Sequence, residues 1–301
     1  MTLRYELRPF RALEDYRACV ALQEETWGVG FSERVPTAIL KVAQSLGGVA
    51  AGAFDGEGRL AGFVFGMTGP DESGEVVHWS DMLAVRAEAA GSGLGVRLKA
   101  WQRDSVVARG VRRMLWTFDP LRARNAHLNL NKLGAVVREY RRDMYGDTDS
   151  VLHRGIGTDR FVAVWLLESE RVAGRMERAL SERSSGRADP GRPAPPPDQD
   201  VPDPALLPFA LQAVGPAEAL RPGSARLDLD SERVGVAIPA DIGAVMHRDA
   251  GLAVAWREAT RETLMHYLER GYEVRALMRR EGAAPVYVLS RTHRPDRRED
   301  P

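Results

Sequence analysis

The stretch from Val85 to Leu98 restricts the possible folds of this chain more than any other. It reads Val85-Arg86-Ala87-Glu88-Ala89-Ala90-Gly91-Ser92-Gly93-Leu94-Gly95-Val96-Arg97-Leu98. The apolar run Met82 to Val85 predicts a strand before it. Leu94, Leu98 and Trp101 then fall at i, i+4 and i+7, one face of a helix. Three glycines at alternate positions join the two. Glycine reaches φ > 0 and lets backbone approach a ligand closely. A glycine turn that opens a helix leaves several N–H groups unpaired, with the helix dipole behind them. That is an anion cradle, most simply one for phosphate. The same residues also make a plain strand-to-helix turn, and on this stretch alone both readings stay open.

Familiar nucleotide loops do not fit. A dinucleotide fingerprint wants different glycine spacing, a position near the domain start and an acidic residue some 20 positions on. A P-loop wants Gly-Lys-Ser/Thr, which is absent. The stretch resembles the acyl-CoA pyrophosphate loop of the GNAT acetyltransferases, whose pattern is Gln/Arg-x-x-Gly-x-Gly/Ala. Here Ala90-Gly91-Ser92-Gly93-Leu94-Gly95 carries the two key glycines, with Ala90 in place of the usual Gln or Arg. In that family most phosphate contacts come from backbone N–H groups, which Ala90 leaves in place.

The order of predicted elements carries the same resemblance independently. Leu3 to Arg8 alternates as a strand. Leu13, Tyr16, Cys19 and Val20 form a helical stripe, and the helix closes through Gln23-Glu24-Glu25-Thr26-Trp27-Gly28. Pro36 to Leu46 reads as a second helix stopped by Gly47-Gly48. Val49 to Phe54 and Leu60 to Met67 flank Asp55-Gly56-Glu57-Gly58, a hairpin signal. Val76 to Val85 continues the meander. The glycine loop, a helix ending near Gly110 and a strand from Met114 to Phe118 follow. Strand, two helices, three antiparallel strands, glycine turn, helix and strand is the order of the GNAT fold.

Asn125-Ala126-His127-Leu128-Asn129-Leu130-Asn131-Lys132-Leu133-Gly134-Ala135 resembles that family's next helix, Asn-x-x-Ala-x-x-Leu-Tyr-x-x-Leu-Gly-Phe. Asp119-Pro120 would cap it and Gly134 would end it. Leu130 then stands where many members carry the tyrosine that acts as general acid. Asn125 and Asn129 lie one helical turn apart, and the resemblance implies contact with the pantetheine arm. Tyr140 and Tyr145 precede a last strand, Phe161 to Leu167. The segments Trp79 to Val85, Trp116 to Leu121 and Thr158 to Phe161 resemble a poorly characterised group of predicted acetyltransferases within the superfamily.

Met176 to Pro208 reads as an extended linker, with prolines at 190, 193, 195, 196, 197, 202, 204 and 208. Beyond it, Arg226 to Ile238 predicts one or two strands and Leu252 to Leu268 a helix. Tyr272 to Met278 and Val286 to Leu289 predict a hairpin. The run from Tyr267 resembles the end of a GNAT domain, a degenerate half without a second glycine loop. Arg257 and Arg261 share a helix face. They suit either a carboxylate or phosphate ligand or surface pairing with Glu258 and Glu262.

The totals narrow the class. Among 301 residues, 42 basic side chains balance 42 acidic ones, so no bulk charge favours nucleic acid or an anionic membrane. Cys19 is the only cysteine, which removes intrachain disulfides and cysteine-rich metal sites. No signal-like start and no membrane-length apolar run is seen, so a cytoplasmic location is expected.

The expected fold class is mixed α+β. A GNAT acyl-CoA-binding domain over 1–175, with a central, mostly antiparallel twisted sheet flanked by helices, is followed by the linker over 176–208. A smaller α+β domain over 209–301 completes the chain. The resemblance implies an N-acyltransferase that moves an acyl group, most simply acetyl, from acyl-CoA directly to an amine, with no metal. Met82, Leu83, Ala84 and Val85 would pair with pantetheine, a backbone N–H near Leu83 or Ala84 serving as oxyanion donor. Ala90, Gly91, Ser92, Gly93, Leu94 and Gly95 would hold the pyrophosphate, with Asn125 and Asn129 beside the arm. Asp81 is the expected base or amine anchor; His78, Glu24 and Glu25 are the other basic candidates. Strand alternation puts Asp81 with Trp79 and His78 with Ser80. Tyr145, or Tyr140, would replace the missing acid. Glu24, Glu25 and Trp27 would line the acceptor site. The expected partner is a small-molecule or protein amine, with a homodimer as an option; nucleic acid and membrane are not expected. A module that holds acyl-CoA without catalysis is the alternative.

Overall fold

The computed structural model describes residues 5–146, 155–184, 200–203, 206–280 and 282–292. The chain forms two compact units. One comprises Met1–Trp116 and Val164–Arg192; the other comprises Thr117–Asp147, His153–Ala163 and Pro193–Pro301. The fold is mixed α+β with mostly antiparallel strand pairing, as the sequence predicts.

In the first unit the elements follow the predicted order. Strand β1 (Glu6–Pro9) leads to helices α1 (Leu13–Trp27) and α2 (Thr37–Ser45). Strands β2 (Val49–Phe54), β3 (Leu60–Pro70) and β4 (Val76–Val85) come next, then α3 (Leu94–Val107) and β5 (Arg113–Phe118). The sheet order is β1-β2-β3-β4-β5, antiparallel except for the parallel pair β4–β5. Strand β7 (Arg160–Leu166) and helix α5 (Glu170–Ser184) complete the unit, β5 and β7 each giving residues to both units. Met176 to Ser184, the start of the expected linker over 176–208, are therefore helical rather than extended; 185–199 of it lie outside the described residues.

A bulge in β4 sets which side chain faces which layer. Phe65 opposes Met82 and Gly66 opposes Ser80, so Asp81 has no partner on β3. An extra residue in one strand reverses the phase of everything beyond it. His78 and Ser80 pair with Thr68 and Gly66 on the α3 face. After the bulge, Met82 and Ala84 pair with Phe65 and Phe63 on the opposite face. There they join a core with Phe10, Tyr16, Cys19, Leu22 and Leu40 from the α1–α2 layer. Gly66 is obligatory, because a Cβ there would stand 2.3 Å from His78 Nε2 and 2.5 Å from the Trp79 carbonyl oxygen.

The second unit begins where β5 ends. Its helix starts later than the sequence suggests. The N-cap of that helix is Arg122 rather than Asp119, whose Oδ1 accepts the Leu121 N–H at 2.8 Å within a turn. A four-residue α4 (Ala123–Ala126) passes directly into a π-helical turn over His127–Lys132. The wider turn is closed by Leu133 N–H donating to the Leu128 carbonyl at 2.9 Å, an i to i+5 bond. Strand β6 (Val136–Arg141), not predicted from sequence, carries Tyr140. Later come β8 (Phe209–Leu211), the short pair β9 (Ala213–Val214) and β10 (Arg221–Pro222), and β11 (Arg233–Ala237). Helices α6 (Ile242–Arg248) and α7 (Ala250–Glu269) precede the predicted hairpin, β12 (Tyr272–Met278) and β13 (Val286–Arg291). Here the strand order is β7-β6-β12-β13-β11-β8.

Helix α7 packs on this sheet through Trp256, Leu264 and Tyr267, all fully buried. Its arginines make neither the surface pairs nor the ligand grip considered from sequence. Arg257 donates to Asp119 Oδ1 at 2.9 Å and to the Ile156 carbonyl at 3.0 Å, with both charged side chains 3% exposed. Arg261 grips both oxygens of Asp159 at 2.7 and 2.8 Å. The bidentate geometry gives the planar guanidinium its strongest carboxylate contact.

Candidate functional site

Strands β4 and β5 run parallel but pair only at His78–Met114 and Trp79–Leu115. Beyond those two pairs the strands part, while β4 continues to Val85 and β5 to Phe118. Among the described residues the β5-facing backbone edge of Ser80 to Val85 therefore has no strand partner, although β3 remains paired on the other side. Buried backbone groups need partners. An open fork of this kind offers N–H and C=O groups to an extended polar ligand.

The glycine loop stands at the end of the same strand. A single turn of 3₁₀ helix at Ala87–Ala89 brings the chain to Ala90. Gly91 and Gly93 then take positive φ, 77° and 82°, a region other residues enter at a cost. Gly93 is the N-cap of α3 and has no side chain to satisfy the helix N–H groups. The amides of Leu94, Gly95 and Val96 thus point out of the helix without intrahelical acceptors. Ser92 is turned inward, its Oγ donating to the Ala89 carbonyl at 2.6 Å. A Cβ on Gly95 would lie 3.9 Å from Leu83 Cδ2, which places the first turn of α3 against β4. The open edge of β4 and the cradle both belong to this unit and meet where Gly95 approaches Leu83.

Asp81 occupies the bulge at the base of the fork. Its side is open to solvent, yet the surrounding protein raises its carboxyl above the ordinary range, and the Trp79 indole N–H offsets part of that rise. A carboxylate with a raised pKa in a cleft is a fitting proton acceptor. His78 is no candidate base. It is fully buried, with Nδ1 2.8 Å from Thr68 Oγ1 and Nε2 2.9 Å from Gln102 Nε2. Burial, with Lys99 and Arg109 nearby, holds its pKa down to about 3, so the ring stays neutral.

At the end of α1, Glu24 is ion-paired with Arg34 and Glu25 with Arg86. Arg86 also donates to the Leu60 carbonyl at 2.8 Å. Trp27 stacks on Phe31 at 5.7 Å and meets the edge of Phe63 at 6.3 Å. Cys19 is buried beside Gln23, and burial pushes its thiol up to about 12, so it is a core residue.

The remaining sequence candidates belong to the second unit. Tyr145 is 41% exposed, with its hydroxyl 3.0 Å from Thr117 Oγ1. The Arg160 guanidinium lies 5.1 Å from its ring centroid. Tyr140 donates to Asp159, and burial raises its pKa. Asn125 and Asn129 do not share a face. Asn125 is exposed on α4, while the π turn carries Asn129 into the interior. Leu130 is fully buried.

Lys99 is the residue sequence reasoning missed. It lies on the buried face of α3 with Leu98 and Gln102 and is 3% exposed. Its Nζ donates to Ser80 Oγ at 2.7 Å and to Gln102 Oε1 at 3.3 Å, and lies 3.9 Å from the Trp116 ring centroid. A lysine three positions before a glutamine on an otherwise apolar face was the available signal.

No protein-family model matches the sequence, and no curated protein is similar to it. Solved structures do match. A chain of the NatC complex bound to Gag peptide and CoA aligns at 13% identity over 54% of this chain and 98% of its own, TM-score 0.44. A GNAT-family acetyltransferase from Streptococcus pneumoniae aligns at 19% identity, 54% and 99%, TM-score 0.42. YncA, a putative acetyltransferase from Salmonella typhimurium with acetyl-CoA, gives 18%, 56% and 96%, TM-score 0.42. About half of this chain matches the GNAT fold. The likeness concerns the fold; the chemistry has to come from the site itself. Among the described residues no helix is long and apolar enough to cross a membrane. No group of three or more His, Cys, Asp or Glu there is placed to hold a metal.

Proposed function

We propose that the protein is an acyl-CoA-dependent N-acyltransferase, most simply an acetyltransferase, that transfers directly to an amine within a ternary complex. The observation that carries this is the β4–β5 fork joined to the uncapped start of α3. An acyl-CoA has an extended amide-bearing arm and a pyrophosphate, and these are the two groups such a surface suits. The open edge of Met82 to Val85 would take the arm, and the amides of Gly93 to Val96 the phosphates. The ligand supplies an activated thioester; the protein supplies position, charge and proton transfer. Backbone N–H groups at Leu83 or Ala84 would face the carbonyl as it gains negative charge. Asp81 accepts the proton of the attacking amine, directly or through water. Glu24, Glu25 and Trp27 would shape the acceptor side. The acceptor is a small-molecule or protein amine.

A second reading has its own observation. Leu130, buried at the position of the usual acid, cannot donate a proton, and Ala90 replaces a phosphate-binding Gln or Arg. A protein that binds acyl-CoA without turnover would show both. Incubation with acetyl-CoA and a panel of primary amines separates the readings. Release of CoA thiol above the water-only rate, matched by an N-acetylated product in mass spectrometry, is the expected result. Binding of acetyl-CoA with no product from any amine would favour the module.

A further inference from the structure

Lys99 is a buried cation surrounded, among the described residues, by uncharged groups. Its contacts are a hydroxyl, a side-chain amide, the Met114 sulfur at 3.7 Å and the faces of two tryptophans, Trp116 and, at 5.8 Å, Trp165. Among the described residues no carboxylate pairs with it. Burying an ammonium this way carries a desolvation cost that an apolar side chain of similar size would avoid. Burial pushes its pKa down to about 7.

Its position gives the cost a use. Trp79 and Leu115 are the last pair between β4 and β5. The next residue on each strand, Ser80 and Trp116, is one that the ammonium touches. Lys99 therefore sits at the apex of the fork, on the α3 side, behind the place where the strands open. Ser80 is also the residue before the bulge. Its Oγ accepts a hydrogen bond from Lys99 and donates one to Gln102 Oε1 at 2.9 Å, so the start of the fork is fixed to α3.

We propose that Lys99 is a positioning residue that, through Ser80 and across the fork, stabilises negative charge developing at the apex during acyl transfer. This rests on the acyl-transfer reading. In that reaction the thioester C–S bond breaks, the amide C–N bond forms and the thiolate leaves with the electron pair. Its proton comes ultimately from the amine. A fixed cation behind the apex lowers the energy of both the carbonyl oxyanion and the thiolate. It offers a partial replacement for the acid lost at Leu130.

The probe is free CoA. Its thiol is titrated while bound to the full-length protein, by thiolate absorbance against pH. Around Lys99 the structure places His78 and Ser80 on β4, Met114 and Trp116 on β5, Trp165 on β7 and Gln102 on α3. Of these only His78 titrates, and it stays neutral. Asp81, at the bulge, is the other titratable side chain at the fork. Cys19, buried with its pKa up near 12, adds no thiolate signal in the working range. Thiol and ammonium titrate as a pair, each favouring the charged form of the other. The expected result is that binding shifts thiolate formation to lower pH in the wild type, with the shift largest near and below pH 7, where the ammonium still holds its proton. In Lys99→Met and Lys99→Gln the shift disappears, while acetyl-CoA still raises the melting temperature. Equal midpoints in wild type and both variants would overturn the role of Lys99 alone. No binding of CoA or acetyl-CoA by the wild type would overturn the acyl-transfer reading, and this proposal with it.

Discussion

Replacing Arg257 with Met is expected to lower the unfolding free energy by roughly 3–5 kcal/mol. Arg257 and Asp119 are both 3% exposed, so removing one leaves the other charge without its nearest compensation in the interior. The Ile156 carbonyl loses a donor as well. A surface pair would give less than about 1 kcal/mol, because water screens and replaces it. The two cases are easily told apart by urea unfolding. Asp119→Leu together with Arg257→Met should recover part of the loss, since an apolar pair needs no ionic partner. Recovery will be incomplete, because Asp119 also accepts the Leu121 amide. A single-variant loss below about 1 kcal/mol would mean that the pair is a surface contact in solution.

Asp81→Asn is expected to reduce kcat by about 10²–10⁴-fold, the usual contribution of a positioned base. The wild-type rate should rise with pH through a single ionisation above the ordinary carboxylate range, because the surrounding protein raises this group. That limb should be absent in the variant. Stability should move the opposite way. A carboxyl whose folded pKa lies above its unfolded value stabilises the fold at low pH and loses that contribution as pH rises through the folded pKa. Above its folded pKa the ionised Asp81 therefore opposes folding, and there Asn should raise the melting temperature slightly. A variant with normal kcat and an unchanged pH profile would remove Asp81 from the chemistry.

The first unit was readable because its signals are local. The glycines at 91 and 93, the Asp55 to Gly58 turn and the alternation along β4 each depend on a few neighbouring residues. Asp81 and Trp79 share a side as strand alternation predicts. The reversal after Asp81 was not visible, because a bulge shows only against the partner strand. Lys99 failed for a related reason: a lysine is read as solvent-facing until Trp116 and Trp165, distant in sequence, are seen around it. In the second unit, the Asn125 to Gly134 stretch suggested one regular helix. The π turn that separates Asn125 from Asn129 is held by tertiary bonds such as Asn131 with the backbone of Leu277, at 3.0 and 3.1 Å. Arg257 and Arg261 were judged by their helical neighbours, while their partners, Asp119 and Asp159, lie about a hundred residues or more away in sequence.

The central claim is that the fork and the start of α3 hold an acyl-CoA. Thermal unfolding of the wild type and Gly95→Phe, with and without CoA and acetyl-CoA, tests it most directly. Gly95 has ordinary helical geometry and room for a Cβ, so the variant should fold and fill the cradle without backbone strain. At a ligand concentration of ~100 times the dissociation constant, the wild type should gain about 2.7 kcal/mol, seen as a clear rise in melting temperature. Gly95→Phe should keep its unliganded transition and lose most of that rise. No shift in the wild type with either ligand, or an equal shift in the variant, would contradict the account.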